Sequence, residues 1–501
     1  MGLFDAPALS PKAAAAKFAP FPVKNVASRA QGGNSQSNGT DLTQTSRLRF
    51  VIRGSVDEVR LVFANFYLPT GGNEPINPYT VNVRCSVENP ATAAGSQPGT
   101  SLIPVFFGGK RTGTIEPGGI LISDPVFVNI TDGQPLWVRS SPSVASGDKW
   151  VNSYTSVNSA DAKFDGSGML EGVLSGTDAT DSGAISGSNS FAFGPNAILA
   201  SSPARKPSVL VCGDSIAART GIVSQGQVTY PTRACINAGL PVVNIAEDGE
   251  RVLTVAQQIS YWKRMRLAFA CTDALANYGT NDIYSSACTL AQLKADALIF
   301  WTALYRLGLK VHALTILPRP GASTDGYMTV ASQSIADAPK EAIRVAYNDW
   351  LRDLSANGAR AQSAGALVSV LDPCSVIEVN AAGAPTMNGG FIKSVAAPIR
   401  TGTATSVAGN VITDTAATRT VNAEIGLTLA ITNATTGAAQ AQTVLTNTAT
   451  AWTLLSALSP VPTGTVGYQL GQSYIYDGTH PTEKAHQDIG DALNLSQVIT
   501  A

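Results

Sequence analysis

The sequence predicts a multidomain chain: an N-terminal all-β sandwich or jelly roll, then a three-layer α/β domain carrying a small all-β insertion. Three observations predict it. Short runs of alternating apolar and polar residues, separated by Gly and Pro turns, fill residues 46–205. Apolar strands then alternate with helical periods across residues 206–385 and 473–501. Between those two stretches, residues 386–472 lose almost all charge and return to short alternating runs. At 501 residues the chain is long enough for more than one core.

Residues 1–45 are rich in Ala, Pro, Ser, Asn and Gly, lack sustained periodicity, and read as a flexible or extended arm. Strands are predicted at Leu48–Arg53, Glu58–Tyr67, Tyr79–Val87, Ser101–Phe107, Gly119–Ile122, Val126–Ile130 and Pro135–Arg139. Gly71-Gly72, Gly108-Gly109 and Pro117-Gly118 supply turns between them. Residues 143–205, rich in Gly and Ser, add final strands or a linker, with β-structure to at least Phe193. The α/β region places strands at Ser208–Cys212, Val242–Ala246, Asp273–Tyr278, Lys310–Leu317 and Leu367–Leu371. Its helix Leu290–Leu307 gathers Leu290, Leu293, Ala297, Phe300, Trp301 and Leu304 on one face and stops at Gly308. Further helices are predicted over Pro339–Leu354 and Thr482–Leu493. From Thr401 to Gly471 the only charges are Asp414, Arg419 and Glu424.

Composition excludes several function classes. Charged residues make up 14% of the chain and the net charge is −1, so there is no basic face for nucleic acid. The six cysteines show no C-x-x-C spacing, which suggests neither a zinc site nor a dense disulfide framework. No apolar run approaches a membrane span. The N-terminus lacks a basic region followed by an apolar core, and Ala6 breaks the myristoylation pattern, so neither a secretory signal nor a lipid anchor is expected. A soluble protein that leaves its cell by another route, such as virion assembly and lysis, fits this composition.

Three short blocks carry the chemistry. In Val209–Thr220, V-L-V-C-G-D-S-I-A-A-R-T, an apolar strand stops at Gly213 and Ser215 follows. A serine there sits at a strand's carboxyl end and beside a helix N-terminus, where ligands and developing negative charge are favoured. The second block is N-Y-G-T-N-D-I-Y at Asn277–Tyr284, and the third is D-G-T-H-P-T at Asp477–Thr482. A serine nucleophile needs an imidazole in reach, and the chain has only His312, His480 and His486. His480 is the candidate base, since Asp477 three residues earlier can hold its ring in the useful tautomer. His486 reads as a surface or packing residue in the last helix, and His312 as a core residue of the fourth strand. Asp282 reads as a helix or turn cap and Asp214 as a brace for the nucleophile turn. Arg219, Glu247 and Arg251 are candidates for the cleft wall. Neither G-x-x-x-x-G-K nor H-E-x-x-H occurs, and no cofactor or metal is expected.

In this order the three blocks resemble those of the SGNH hydrolases, the GDSL esterase family, over residues 206–385 and 473–501. The resemblance implies a flavodoxin-like strand order and an acyl-enzyme mechanism through Ser215, His480 and Asp477. It also implies an oxyanion hole built from the backbone N–H of Ser215, the backbone N–H of Gly249 and the side-chain amide of Asn281. The family's second block is usually a short Asn-x-Gly-like loop; here Glu247 and Asp248 intervene before Gly249. The insertion, with T-A-T-S-V-A-G-N-V-I-T-D-T and T-N-T-A-T-A-W-T-L, resembles a small β module common in phage tail proteins. Accessory β-domains suggest a polymeric substrate. The expected function is therefore an O-acetyl esterase acting on a bacterial surface polysaccharide, in a virion tail or outside the cell. Expected partners are the acylated polysaccharide and other tail proteins docked through the arm; a homo-oligomer is an open expectation, nucleic acid and membrane are not expected. The alternatives are an esterase, lipase or thioesterase of the same family acting on other acyl groups, and a non-catalytic tail structural or receptor-binding protein.

Overall fold

The computed structural model describes residues 23–500 apart from 34, 68–73, 89–100, 158–170, 186–189, 202–205, 219–227, 259–262, 322, 324, 396–397 and 434–438. The first half is built from two antiparallel sheets. One orders its strands Lys24–Asn25, Ala197–Ala200, Val56–Ala64, Val126–Ile130, with Ile120–Ile122 also on Val56–Ala64. The other runs Gly172–Ser175, Gln44–Val51, Pro135–Ser143, Val81–Glu88, Leu102–Pro104, with Thr112–Ile115 also on Val81–Glu88. Register follows the alternation. Leu48 lies opposite Val138 and Phe50 opposite Leu136, so four buried apolar side chains share one face. Besides Lys24–Asn25, three of these strands are absent from the sequence reading. Ala197–Ala200 is buried at every position, so it carries no alternation to detect. Thr112–Ile115 and Gly172–Ser175 are four residues long and rich in small side chains.

The expected arm gives way to structure from residue 23. Lys24–Asn25 pairs with Ala197–Ala200, Ser35–Gln36 pairs with Val151–Asn152, and Ala30–Gln31 pairs in parallel with Val242–Asn244. Each piece is two residues long, too short for any periodicity, and is held by partners more than a hundred residues away. Asn25 shows how: its amide donates to the Val242 carbonyl at 3.2 Å, and its Oδ1 accepts from Ile198 N at 3.0 Å. The arm expected over residues 1–22 lies outside the described residues.

The α/β region holds a six-stranded parallel sheet in the order Ala30–Gln31, Val242–Asn244, Val209–Gly213, Asp273–Asn277, Lys310–Leu314, Leu367–Leu371. Its five native strands thus run second, first, third, fourth, fifth, the doubly wound order whose switch point lies between the first and neighbouring strands. Helix Leu290–Arg306 begins at Thr289, whose hydroxyl accepts from Gln292 N at 3.2 Å, and it buries Leu293, Ala297, Phe300, Trp301 and Leu304. Trp301 stacks on Trp350 of helix Ala338–Arg352 with ring centroids 5.7 Å apart. Helix Glu483–Ala492 packs on helix Tyr230–Asn237.

The insertion forms a seven-stranded antiparallel sheet from Arg400–Ala404 to Val466–Gly471 around Ile412, Leu429, Ile431, Val444, Trp452, Leu454 and Leu470. Its charges converge: Arg400, which opens the first strand, lies 3.4 Å from Glu424, and Asp414 and Arg419 gather at the same place. The Arg419 guanidinium stacks 3.5 Å above the Trp452 ring, between Asp414 at 3.4 Å and Glu424 at 3.6 Å. Trp452 Nε1 donates to Glu424 at 2.6 Å and the Tyr468 hydroxyl to Asp414 at 2.5 Å. A charge-poor sheet therefore spends its few ions on one buried cluster, where each has partners. Among the described residues no helix is long and apolar enough to cross a membrane, and no group of three or more His, Cys, Asp and Glu residues is placed to hold a metal.

Candidate active site

Ser215 opens the short helix Ser215–Ala218 directly after strand Val209–Gly213. Gly213 makes this turn possible. A Cβ there would lie 2.6 Å from Ala217 Cβ and 2.7 Å from the Asn277 carbonyl, so the first and third strands close only over a glycine. Asp214 N donates to the Asn277 carbonyl at 3.3 Å, and Asp214 Oδ1 accepts from Ile216 N at 3.0 Å, which braces the turn.

The Asp477–His480 loop comes from the other end of the chain. Asp477 Oδ1 accepts from Thr479 N at 2.9 Å and His480 N at 2.8 Å, curling the loop into a tight turn. Tyr476 N donates to the His480 carbonyl at 3.3 Å, and Thr482 caps the helix that follows. The turn aims both side chains. His480 Nδ1 lies 2.7 Å from Asp477 Oδ2, and His480 Nε2 lies 2.7 Å from Ser215 Oγ. Burial pushes the Asp477 carboxyl up, but the hydrogen bonds from the His480 ring and from the His480 and Thr479 backbone outweigh it and hold the carboxyl below its usual range. An ionised Asp477 accepts the Nδ1 proton, leaving the Nε2 lone pair to accept from the serine hydroxyl. Residues 265 positions apart in sequence thus form one hydrogen-bonded chain at the carboxyl edge of the sheet.

Three donors are expected for the oxyanion: the N–H groups of Ser215 and Gly249 and the Asn281 amide. The N–H groups of Ser215 and Gly249 have no hydrogen-bond partner among the described residues. Gly249 sits exposed at φ +78°, in a turn that only glycine adopts without strain. Asn281 Nδ2 donates to the Glu250 carbonyl at 3.0 Å, which ties the amide to the residue beside Gly249 and leaves its second hydrogen uncommitted.

The remaining candidates separate clearly. Asp282 accepts from Val252 N at 3.0 Å and Leu253 N at 3.1 Å, so it caps helix Val252–Gln258. His486 is buried against Tyr230, accepts from Tyr230 N at 3.0 Å, and burial pushes its imidazole down to about 3. His312 is fully buried between Asp273 at 3.0 Å and Ser369 at 2.7 Å. Glu247 is buried, Arg251 is half-buried, and Arg219 lies outside the described residues. Sequence reasoning missed Glu250. Its carboxylate is buried, pairs with Arg264, accepts from the Tyr278 hydroxyl at 2.7 Å, and is pushed up to about 7 by burial. In N-I-A-E-D-G-E-R nothing marks that Glu247 and Glu250 turn inward while Asp248 stays half-buried.

Asp214 gives a direct pH prediction. Burial pushes its carboxyl up to about 7, and its Oδ2 has no partner among the described residues. In the unfolded chain it ionises near ~4. Between those values only the unfolded chain carries the charge, so this group withdraws stability as pH rises and nothing further above pH 7. Asp214→Asn keeps an acceptor for Ile216 N and removes the penalty. Its stability relative to wild type should grow between pH 4 and 7, by on the order of 3 kcal/mol, in urea denaturation followed across pH.

No family model and no curated protein matches the chain. Solved structures similar to it include a family two carbohydrate esterase from Cellvibrio japonicus, 11% identical with a TM-score of 0.27, covering 74% of this chain and 93% of that one. A carbohydrate esterase family two enzyme with a carbohydrate-binding domain, from Myceliophthora fergusii, is 12% identical with a TM-score of 0.26, covering 69% of this chain and 88% of that one. A GDSL-like lipase from Bacteroides thetaiotaomicron is 15% identical with a TM-score of 0.24, covering 37% of this chain and 80% of that one.

Proposed function

We propose that this protein is a carboxylic ester hydrolase of the SGNH type, acting through Ser215, His480 and Asp477. One observation carries the reading: the unbroken hydrogen-bond chain from Ser215 Oγ through the His480 ring to Asp477, at the carboxyl edge of a parallel sheet. Ser215 Oγ attacks the ester carbonyl while His480 Nε2 takes its proton. Asp477 stabilises the imidazolium, and the N–H groups of Ser215 and Gly249 with the Asn281 amide hold the oxyanion. The tetrahedral adduct collapses, His480 returns the proton to the leaving alcohol, and Ser215 carries the acyl group. Water, deprotonated by His480, then releases the acid.

We further propose O-acetyl groups on a bacterial surface polysaccharide as the substrate, with the strand-rich domains supplying the broad surface a polymer needs. A phage tail is the proposed setting, supported by the charge-poor β insertion and the low overall charge. A fluorophosphonate tests the chemistry: mass spectrometry should find one adduct, on Ser215, and its formation should stop acetate release from acetylated polysaccharide. An adduct elsewhere, or none, sinks the esterase reading. Asn281→Ala should lower kcat by about 10²–10³-fold with KM little changed, measured on p-nitrophenyl acetate, because the amide acts on charge that exists only in the transition state.

A further inference from the structure

Tyr327 has left-handed backbone, φ +64°, a conformation that a tyrosine adopts only when its surroundings impose it. The surroundings here are specific. Tyr327 N donates to Ser323 Oγ at 2.8 Å. The buried Asp325 carboxylate accepts from Met328 N at 3.0 Å, Thr329 N at 3.1 Å and Thr329 Oγ1 at 2.5 Å, and also pairs with the Ser332 hydroxyl. The residue before Tyr327 touches the inserted module. Gly326, at φ +71°, packs so closely that a Cβ would lie 2.8 Å from Ala430 Cβ and 2.9 Å from Ala441 Cβ. The residue itself covers the acid–base loop. Gly478, at φ +83° and next to Asp477, has Tyr327 Oη 2.8 Å and the Pro320 carbonyl 2.9 Å from where its Cβ would stand. A second tie joins the same two parts: Thr428 Oγ1 of the module lies 2.7 Å from Ser473 Oγ, which donates to the Ile475 carbonyl at 2.7 Å.

We propose that Tyr327 is a positioning residue, braced by the inserted β module through Gly326, that clamps the turn at Gly478 and so holds Asp477 on His480. The turn can otherwise open outward, because Asp477 is partly exposed and Gly478 is the freest backbone in it. Small displacements of a base are costly in rate, and a side chain pressed on the turn prevents them. The inserted module then has work at the active site besides any grip on substrate. This rests on the esterase reading for its catalytic consequence, though not for its geometry.

The test uses the full chain with Tyr327→Gly, Tyr327→Phe and Gly326→Ala. Glycine accepts the same backbone angle, so Tyr327→Gly removes the clamp without straining the loop. Two readouts are taken: kcat and KM on p-nitrophenyl acetate, and the NMR shift of the His480 Nδ1 proton, which bonds Asp477, assigned with His480→Gln. Tyr327→Gly should lower kcat about 10–100-fold with KM within about twofold. Its His480 Nδ1 proton resonance should move upfield, because a freed Asp477 no longer holds that proton in a 2.7 Å hydrogen bond. Tyr327→Phe, which removes the hydroxyl nearest Gly478 but keeps the ring tip, whose Cζ lies 3.5 Å from the same point, should recover part of both. Gly326→Ala, which presses on Ala430 and Ala441, should reproduce part of both losses. A wild-type kcat and an unmoved Nδ1 proton in Tyr327→Gly overturn the proposal, and an unchanged Gly326→Ala overturns the module's share. An inactive wild type whose His480 Nδ1 proton still moves in Tyr327→Gly overturns the esterase reading and leaves the clamp standing.

Discussion

Ser215→Ala should abolish ester turnover, lowering kcat by about 10⁴–10⁶-fold while leaving the fold and thermal stability close to wild type. The size follows from what alanine removes. Without Oγ there is no acyl-enzyme, and His480 loses the only nucleophile it touches at 2.7 Å. What remains is the oxyanion hole acting on water. His480→Ala should cost nearly as much, and the double variant little more than either, because the two groups act as one unit. Single-turnover measurements on p-nitrophenyl acetate, with far-UV circular dichroism as the folding control, decide it. Additive losses, or a Ser215→Ala variant within tenfold of wild type, would place the chemistry elsewhere.

Arg344→Met should produce the largest loss of stability, about 3–5 kcal/mol. Arg344 is fully buried under the end of the fourth strand. Its guanidinium lies 2.6 Å from Glu341 and 2.5 Å from Glu378, and donates to the Ile316 carbonyl at 3.0 Å. Burial already pushes the Glu378 carboxyl up in the presence of this cation. Removing the cation leaves two carboxylates inside the protein with nothing to balance them. The penalty should therefore shrink as pH falls and the raised Glu378 carboxyl takes up a proton. Urea denaturation at pH 8 and pH 5 checks both the size and the sign; a loss that is independent of pH would refute the charge account.

The parts of the molecule legible in the sequence were those with local signals. Ser215 stood at a strand end, and three histidines left little choice of base. The D-x-x-H spacing needed only one turn to bring Asp477 to His480. Helix Leu290–Arg306 announced itself through its apolar face and the Gly308 that stops it, while its Thr289 cap went unread. What stayed hidden depends on distant partners. Ala30–Gln31 is a strand only because Val242–Asn244 is beside it, and Ala197–Ala200 is buried on both sides and alternates nothing. Glu250 and Asp248 look equally exposed on paper, yet Glu250 is inward because Arg264 and Tyr278 receive it. Tyr327 lies 150 residues from the loop it covers, and no pattern in its neighbourhood names that loop.

The strand at Ala30–Gln31 also bears on how the protein is made. It covers the edge of the parallel sheet beside Val242–Asn244, yet it leaves the ribosome before any strand of that sheet. At ordinary synthesis rates it waits roughly ten to forty seconds for its partner. During that time the two antiparallel sheets of the first half can fold and hold the segment near its destination through Lys24–Asn25. Residues 206–501 expressed alone would instead expose Val242–Asn244 as a bare edge, a template for pairing between molecules. Such a fragment should aggregate during refolding, and supplying residues 23–205 on a separate chain should suppress it.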